Sequence, residues 1–311
     1  MNRKYFLYTS SEFNSVRTCR EVGRLLKIPF LTGILLLSQL GFYSNELIIL
    51  HKETEVNRVN RSDFTHPSPE IPTIHVEKYL EFLELMDKEM YQAPKNAYID
   101  KSGHIIPGVA GHKLYREKFS DRFLRYYYGN GPSKLEVPLQ PIHPKVDEEL
   151  LAEIRVHKIG QFVSSFNSYN KNRTNNISLA AEALNNHVLF PQETFSFNKI
   201  VGKRTAARGY MKAKVIVRGE FSEGIGGGIC QVSSTLFNAV DQAGLKIVER
   251  YCHTRQVPYV PFGRDATVSW NGPDFKFQNN INQPILILAK VVGGRVIINI
   301  FSAEGVNVSY K

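Results

Sequence analysis

The stretch Gly224-Ile225-Gly226-Gly227-Gly228-Ile229-Cys230-Gln231-Val232-Ser233-Ser234-Thr235-Leu236 decides how this chain is read, because it delivers one thiol to the point where a glycine-rich turn becomes a helix. Over residues 231–244, Val232, Leu236, Ala239, Val240 and Ala243 share one face at helical spacing, and Gly244 supplies the stop. A helix start offers unpaired backbone N–H groups and partial positive charge, which favour a thiolate over a thiol. Glycines let the backbone approach a substrate closely. The turn around Gly227, Gly228, Ile229 and Gln231 is therefore expected to hold the oxyanion formed when Cys230 attacks a carbonyl. Ser233, one turn on, is placed to line the same pocket, although helix-interior hydroxyls such as Ser233, Ser234 and Thr235 ordinarily bond back to the preceding turn. The run lacks the Lys-Ser/Thr ending of a P-loop, so acyl transfer outranks phosphate binding by the same turn.

A thiolate nucleophile needs a base, and downstream the candidate is His253 in Glu249-Arg250-Tyr251-Cys252-His253-Thr254-Arg255. Asp265, in Phe262-Gly263-Arg264-Asp265-Ala266-Thr267, is the expected acid that orients it. Arg255 and Arg264 offer planar guanidinium forks for a substrate carboxylate, with exposed, solvated arginines as the plain alternative. Cys252 has two readings, a disulfide to Cys230 that would abolish the chemistry or a spare thiol beside His253. Adjacent Cys252 and His253 lack further ligands at metal-binding spacing, so neither a metal nor a cofactor is expected.

Around this centre the pattern is α+β. Asn176 stands as an N-cap before an amphipathic helix carrying Leu179, Ala183 and Leu184. Alternation and turn residues predict strands over 214–217, over 266–270 turning at Asn271-Gly272, and over 284–292 turning at Gly293-Gly294 into 295–301. Late hairpins after early helices favour a helix starting at Cys230 packed on antiparallel hairpins over a doubly wound sheet.

Upstream, the prolines at 138, 141 and 144 mark a boundary, so the main domain is expected over 146–311. Residues 76–145 read as a small α/β module that opens on a helix with Leu80, Leu83 and Met86 on one face. Residues 51–75, polar and proline-containing, read as a tether. Residues 28–43 carry no charge, and Leu47-Ile48-Ile49-Leu50 extends the apolar stretch, so 28–50 is expected to be a membrane anchor or a signal segment. Arg3, Lys4, Arg17, Arg20, Arg24 and Lys27 within 1–27 would keep the N-terminus cytoplasmic and place the rest outside the membrane.

The formal net charge of +10 favours polyanionic contacts. With no zinc knuckle, recognition helix or aromatic RNA-binding motif, nucleic acid is not an expected partner; lipid headgroups and an anionic wall polymer fit better.

Thr194-Phe195-Ser196-Phe197-Asn198, Val201-Gly202, Arg204-Thr205, Arg208-Gly209-Tyr210, the run from Gly224 to Ala239, and Gly263-Arg264-Asp265-Ala266-Thr267 together resemble the VanW family over nearly all of 150–305. The segment Asn96-Ala97-Tyr98-Ile99 through Gly111-His112-Lys113-Leu114 is similar to a peptidoglycan-binding module that often precedes such domains. The family is named from a protein that accompanies vancomycin-resistance genes. The resemblance implies an extracytoplasmic protein acting on peptidoglycan stem peptides as an L,D-transpeptidase or peptidase, with Cys230 as nucleophile and His253, followed by Thr254, as base. The rival expectation is a non-catalytic wall-binding or glycopeptide-resistance accessory protein with a structural Cys230. A third, a ligand sensor, rests only on an anchor-plus-ectodomain layout.

Overall fold

A computed structural model describes residues 45–67, 73–129, 133–217 and 220–305. β1 (Glu46–His51) and β2 (Thr54–Asn60) form an antiparallel hairpin through Lys52 and Glu53, both at positive φ. Side chains alternate across a strand, and Leu47 and Ile49 are fully buried. The Leu47-Ile48-Ile49-Leu50 part of the expected anchor is thus a strand with one face in a core, not the end of a membrane span. The apolar run 28–43 lies outside the described residues, and no helix among the described residues is long and apolar enough to cross a membrane.

The expected tether also corrects: it supplies β2 and a 3-10 turn, Arg61–Phe64, whose Phe64 is buried. Its polar look comes from β2 keeping most of its side chains at least partly in solvent.

α1 (Val76–Met90) buries Tyr79, Phe82, Leu83, Met86 and Met90, whereas Leu80 is half exposed. Next come the short β3 (Tyr98–Ile99) and β4 (Ile105–Ile106), then β5 (Gly111–Leu114), α2 (Arg116–Tyr128), β6 (Lys134–Glu136) and β7 (Leu139–Ile142). β6 joins β1 in parallel, giving the order β2-β1-β6, and β5 pairs with β7. Phe64, Phe82, Phe119 and Phe123 pack as one aromatic cluster, with Phe64 edge-on to Phe123 at 5.1 Å between centroids. This module therefore starts at β1, thirty residues before the boundary expected from composition.

α3 (Glu148–Ile154) begins at Asp147, whose carboxylate accepts the Leu150 N–H. β8 (His157–Ser165), α4 (Lys171–Leu184), β9 (His187–Leu189), β10 (Thr194–Ser196) and α5 (Phe197–Val201) follow. Then come the hairpin β11 (Lys212–Val217) and β12 (Glu220–Ile225), α6 (Ile229–Gln242), β13 (Lys246–Glu249), β14 (Lys276–Gln278), β15 (Ile285–Val292) and β16 (Arg295–Ser302).

The main sheet is antiparallel in the order β8-β16-β15-β9. Ile285, Ile287, Ala289, Val296, Ile298 and Ile300 face a core shared with α4 and α6. On the opposite face, Leu286 packs with Leu151, Ile154, Ala97 and Val146, so the β3–β4 region and α3 cover the sheet from behind. Gly160 in β8 lets α6 lie directly on the sheet, since a Cβ there would stand 2.3 Å from the Ala239 carbonyl oxygen. A second sheet, β10-β14-β13, carries Phe195 stacked on Phe277 at 4.8 Å. The architecture is α+β with several antiparallel sheets.

Two local expectations change. α4 is capped by Asn170, whose side chain accepts the Arg173 N–H, while Asn176 is buried inside the helix and bonds to Met211 and the Gly227 carbonyl. Residues 266–270 form no strand. Side chains of α6 serve this extended segment instead: Ser234 Oγ accepts from the Ala266 N–H and Ser233 Oγ donates to the Ala266 carbonyl.

Candidate active site

Cys230 is the second residue of α6, and Gly228 at φ +110 is the residue that turns the chain into the helix. The glycines have a packing reason beyond backbone freedom. A Cβ on Gly227 would lie 2.5 Å from the Lys214 carbonyl oxygen, and one on Gly228 would lie 2.9 Å from the Ile177 side chain. The turn is wedged between β11 and α4, which fixes where the sulfur sits.

The Ile229 and Gln231 N–H groups are taken up by the Gly226 and Gly228 carbonyls. The Cys230 N–H, like those of Gly227 and Gly228, has no backbone acceptor among the described residues. The Cys230 thiol donates to the Val268 carbonyl at 3.5 Å. Cys230 and Cys252 are both free thiols; Cys252 is exposed and its sulfur lies 4.0 Å from the Asp265 carbonyl oxygen.

His253 and Asp265 come together as expected. His253 Nδ1 is 2.6 Å from Asp265 Oδ2, and the two side chains are only 7 % and 8 % exposed. Burial opposes charge on His253, but hydrogen bonding and charge from Cys230, and then from Asp265, outweigh it and hold the imidazole above its usual 6.5. Burial likewise opposes the Asp265 carboxylate, while the His253 backbone N–H and ring together hold it below the usual 3.8. Cys230, His253 and Asp265 thus form one interacting chain of groups.

The structure moves the other candidates. Gln231 is buried; its amide donates to Ser164 Oγ and the Ser165 carbonyl, and its oxygen accepts from Arg173 Nη2 at 2.9 Å. Ser233 is fully buried and bonded to the Cys230 and Ala266 carbonyls, so it braces the helix instead of lining a pocket. Arg264 donates to Asn238, pairs with Asp241 at 2.8 Å and lies 4.8 Å over the Phe237 ring. Arg255 is exposed. No group of three or more His, Cys, Asp or Glu among the described residues is arranged to hold a metal.

Three further residues were not singled out from the sequence. Arg173, in the first turn of α4, and Arg204, after α5, are half-buried and interact electrostatically with Cys230. Burial pushes both guanidinium groups below their usual range, with Tyr259 and Cys230 opposing this at Arg173, and Tyr210 and Cys230 at Arg204. Tyr259 interacts electrostatically with Cys230; burial, then Cys230, push its phenol far above the usual range and keep it neutral. Arg204 had one signal, the Arg204-Thr205 pair, but Arg173 is 57 positions from Cys230 and only the fold joins them.

The fold and site define an α+β protein whose helix-start cysteine is backed by a His–Asp pair. A family model described as VanW like protein matches residues 172–301, a span that contains Arg173, Arg204, Cys230, His253, Tyr259 and Asp265. The YoaR protein of Bacillus subtilis (strain 168) is 56% identical over 277 residues, 89% of this chain and 91% of that protein. The vancomycin B-type resistance protein VanW of Enterococcus faecalis (strain ATCC 700802 / V583) is 29% identical over 148 residues, 46% of this chain and 54% of that protein. No solved structure matches. The chain belongs to the VanW family.

Proposed function

We propose that this protein is a cysteine-dependent acyltransferase acting on peptidoglycan stem peptides. The observation that carries this reading is the Cys230–His253–Asp265 arrangement, in which the imidazole interacts with both the sulfur and a buried carboxylate. His253 takes and returns a proton, Asp265 holds its ring, and the Cys230 N–H, with Tyr259, provides donors for the oxyanion.

The substrate class is supported by the relative named for vancomycin resistance, which points to the cell wall as the setting. Display outside the membrane is supported by the uncharged run 28–43 behind a basic N-terminal segment. In this reading the N-terminal module, with β3, β4 and β5, holds the wall, and the net charge of +10 favours anionic wall polymers.

The test is incubation of the purified full chain, wild type and Cys230→Ala, with disaccharide-tetrapeptide stems, followed by product mass spectrometry. Dimers or trimmed stems that vanish in Cys230→Ala support acyl transfer and tell cross-linking from hydrolysis. Unchanged stems with a folded, reduced wild type would leave a wall-binding role instead.

A further inference from the structure

The glycine turn that carries Cys230 has an arginine on each side. The stem of Arg204 packs on Gly226, where a Cβ would meet its Cβ and Cγ at 3.1 and 3.3 Å. That of Arg173 packs on Gly228, where a Cβ would meet its Cγ at 3.2 Å. Replacing either glycine would crowd an arginine stem, so the bare turn is what lets both arginines pack against it.

Both arginines are held by neutral partners. Arg173 Nη2 donates to Gln231, the residue next to Cys230, and Arg204 Nη1 donates to Asn198 Oδ1 at 2.7 Å while its guanidinium lies 5.6 Å over the Phe197 ring. Among the described residues neither arginine forms a salt bridge; the nearby Asp274 carboxylate is engaged by Ser196 and by the Asn198 and Phe275 N–H groups. Arg204 Nη2 is buried with no hydrogen-bond partner. A buried guanidinium N–H without an acceptor is costly. Arg173, Arg204 and His253 share this region with the Asp265 and Asp274 carboxylates and the Cys230 sulfur, and Arg204 Nη2 is the donor among them left without an acceptor.

We infer that Arg204, assisted by Arg173, is a carboxylate-reading subsite beside Cys230, and that the acyl donor is a peptide cleaved at its last bond, with the free C-terminal carboxylate of the leaving residue held by Arg204. This rests on the acyl-transfer reading above and adds to it the residues that hold the donor's terminal carboxylate. The Cys230 sulfur bonds to the carbonyl carbon, and the C–N bond to the last residue breaks. The leaving amine takes the proton from His253 and departs as a free amino acid. A second amine or water then attacks the thioester, gives its proton to His253 and frees the sulfur. Of the arginines first expected to do this, Arg255 is exposed and Arg264 is paired with Asp241.

The test uses the full chain and two probes, a disaccharide-tetrapeptide with a free C-terminal carboxylate and its C-terminal carboxamide. Affinities are measured calorimetrically in a Cys230→Ala background, where no turnover intervenes, and kcat/KM is measured in the wild-type background. The free acid is expected to bind about tenfold or more tightly than the amide, as a charge-assisted contact implies. Arg204→Gln is expected to erase that preference, and Arg204→Lys to keep part of it, with unchanged thermal melting. Equal affinity for acid and amide, no binding of either, or a preference untouched by Arg204→Gln would overturn the subsite. A carboxylate preference in binding without turnover in the wild type would support the subsite and count against acyl transfer, so the two failures are distinguishable.

Discussion

Asp265 Oδ2 accepts two hydrogen bonds from a single residue, one from the ring Nδ1 of His253 and one from its backbone N–H, each at 2.6 Å. One carboxylate oxygen thereby fixes both where His253 stands and how its ring is turned. With Nδ1 committed to Asp265, the other ring nitrogen is the one free to exchange a proton with substrate.

Asp265→Asn is therefore expected to lower the His253 pKa, read by NMR titration of the imidazole, because a carboxylate that favours the charged ring is gone. The stability consequence has a definite window. The Asp265 carboxylate sits below its usual 3.8, so its contribution is present above that pH and lost as pH falls further. The His253 imidazole sits above its usual 6.5, so its contribution is full below 6.5 and lost as pH rises through the folded value. The gap in melting temperature between wild type and Asp265→Asn should be widest between about pH 4 and 6.5 and narrow on either side. A gap independent of pH would contradict the pairing.

His253→Ala should cost acyl transfer roughly 10²- to 10⁴-fold in kcat while leaving the fold in place, as loss of a general acid–base does. The Cys252→Ser background, which removes the exposed second thiol, should keep full activity and simplify thiol titration. Loss of activity in Cys252→Ser alone would give that sulfur a role that the present arrangement does not.

Arg264→Ala should reduce stability by about 1 kcal/mol, mainly through the lost Asn238 hydrogen bond, because the pair with Asp241 is well exposed and adds little. It should leave KM for stem peptides unchanged. Arg204→Gln should do the reverse, raising KM with little change in melting temperature.

Gly227→Ala should destabilise by more than the ~1 kcal/mol typical of point changes, since its Cβ would stand within 2.7 Å of backbone atoms at Ala213 and Lys214. Leu236→Ala, at a fully buried position of α6, should cost about 2–5 kcal/mol. Both are read by denaturant melts, and Leu236→Ala should leave the His253 titration near its wild-type value.

Much of the C-terminal domain was legible because its signals are local. The face of Val232, Leu236, Ala239 and Val240 gave α6, and the Gly293-Gly294 pair, both at positive φ, gave the β15–β16 hairpin. His253 and Asp265 were readable as a pair because twelve residues separate them. What stayed hidden depends on long-range placement. The alternation of Thr267 and Val268 resembles a strand, yet this segment bonds to serines of α6 in place of a neighbouring strand. Leu47 and Ile49 look like the end of an apolar span until β2 and β6 are seen to flank them. Gln231 and Ser233 read as substrate ligands from their position beside Cys230, but the helix turns both inward to brace the fold. Arg173 reaches Gln231, the neighbour of Cys230, only because α4 packs against the glycine turn.

The measurement that tests the central claim most directly is intact-protein mass spectrometry of the full chain, quenched in acid within seconds of mixing with a disaccharide-tetrapeptide stem. A mass increase equal to the stem minus its last residue and located on the peptide bearing Cys230 is the predicted result; it should be absent in Cys230→Ala and diminished in His253→Ala. A folded, reduced wild-type protein that consumes stems with no adduct on Cys230, or whose Cys230→Ala variant is equally active, would contradict the account.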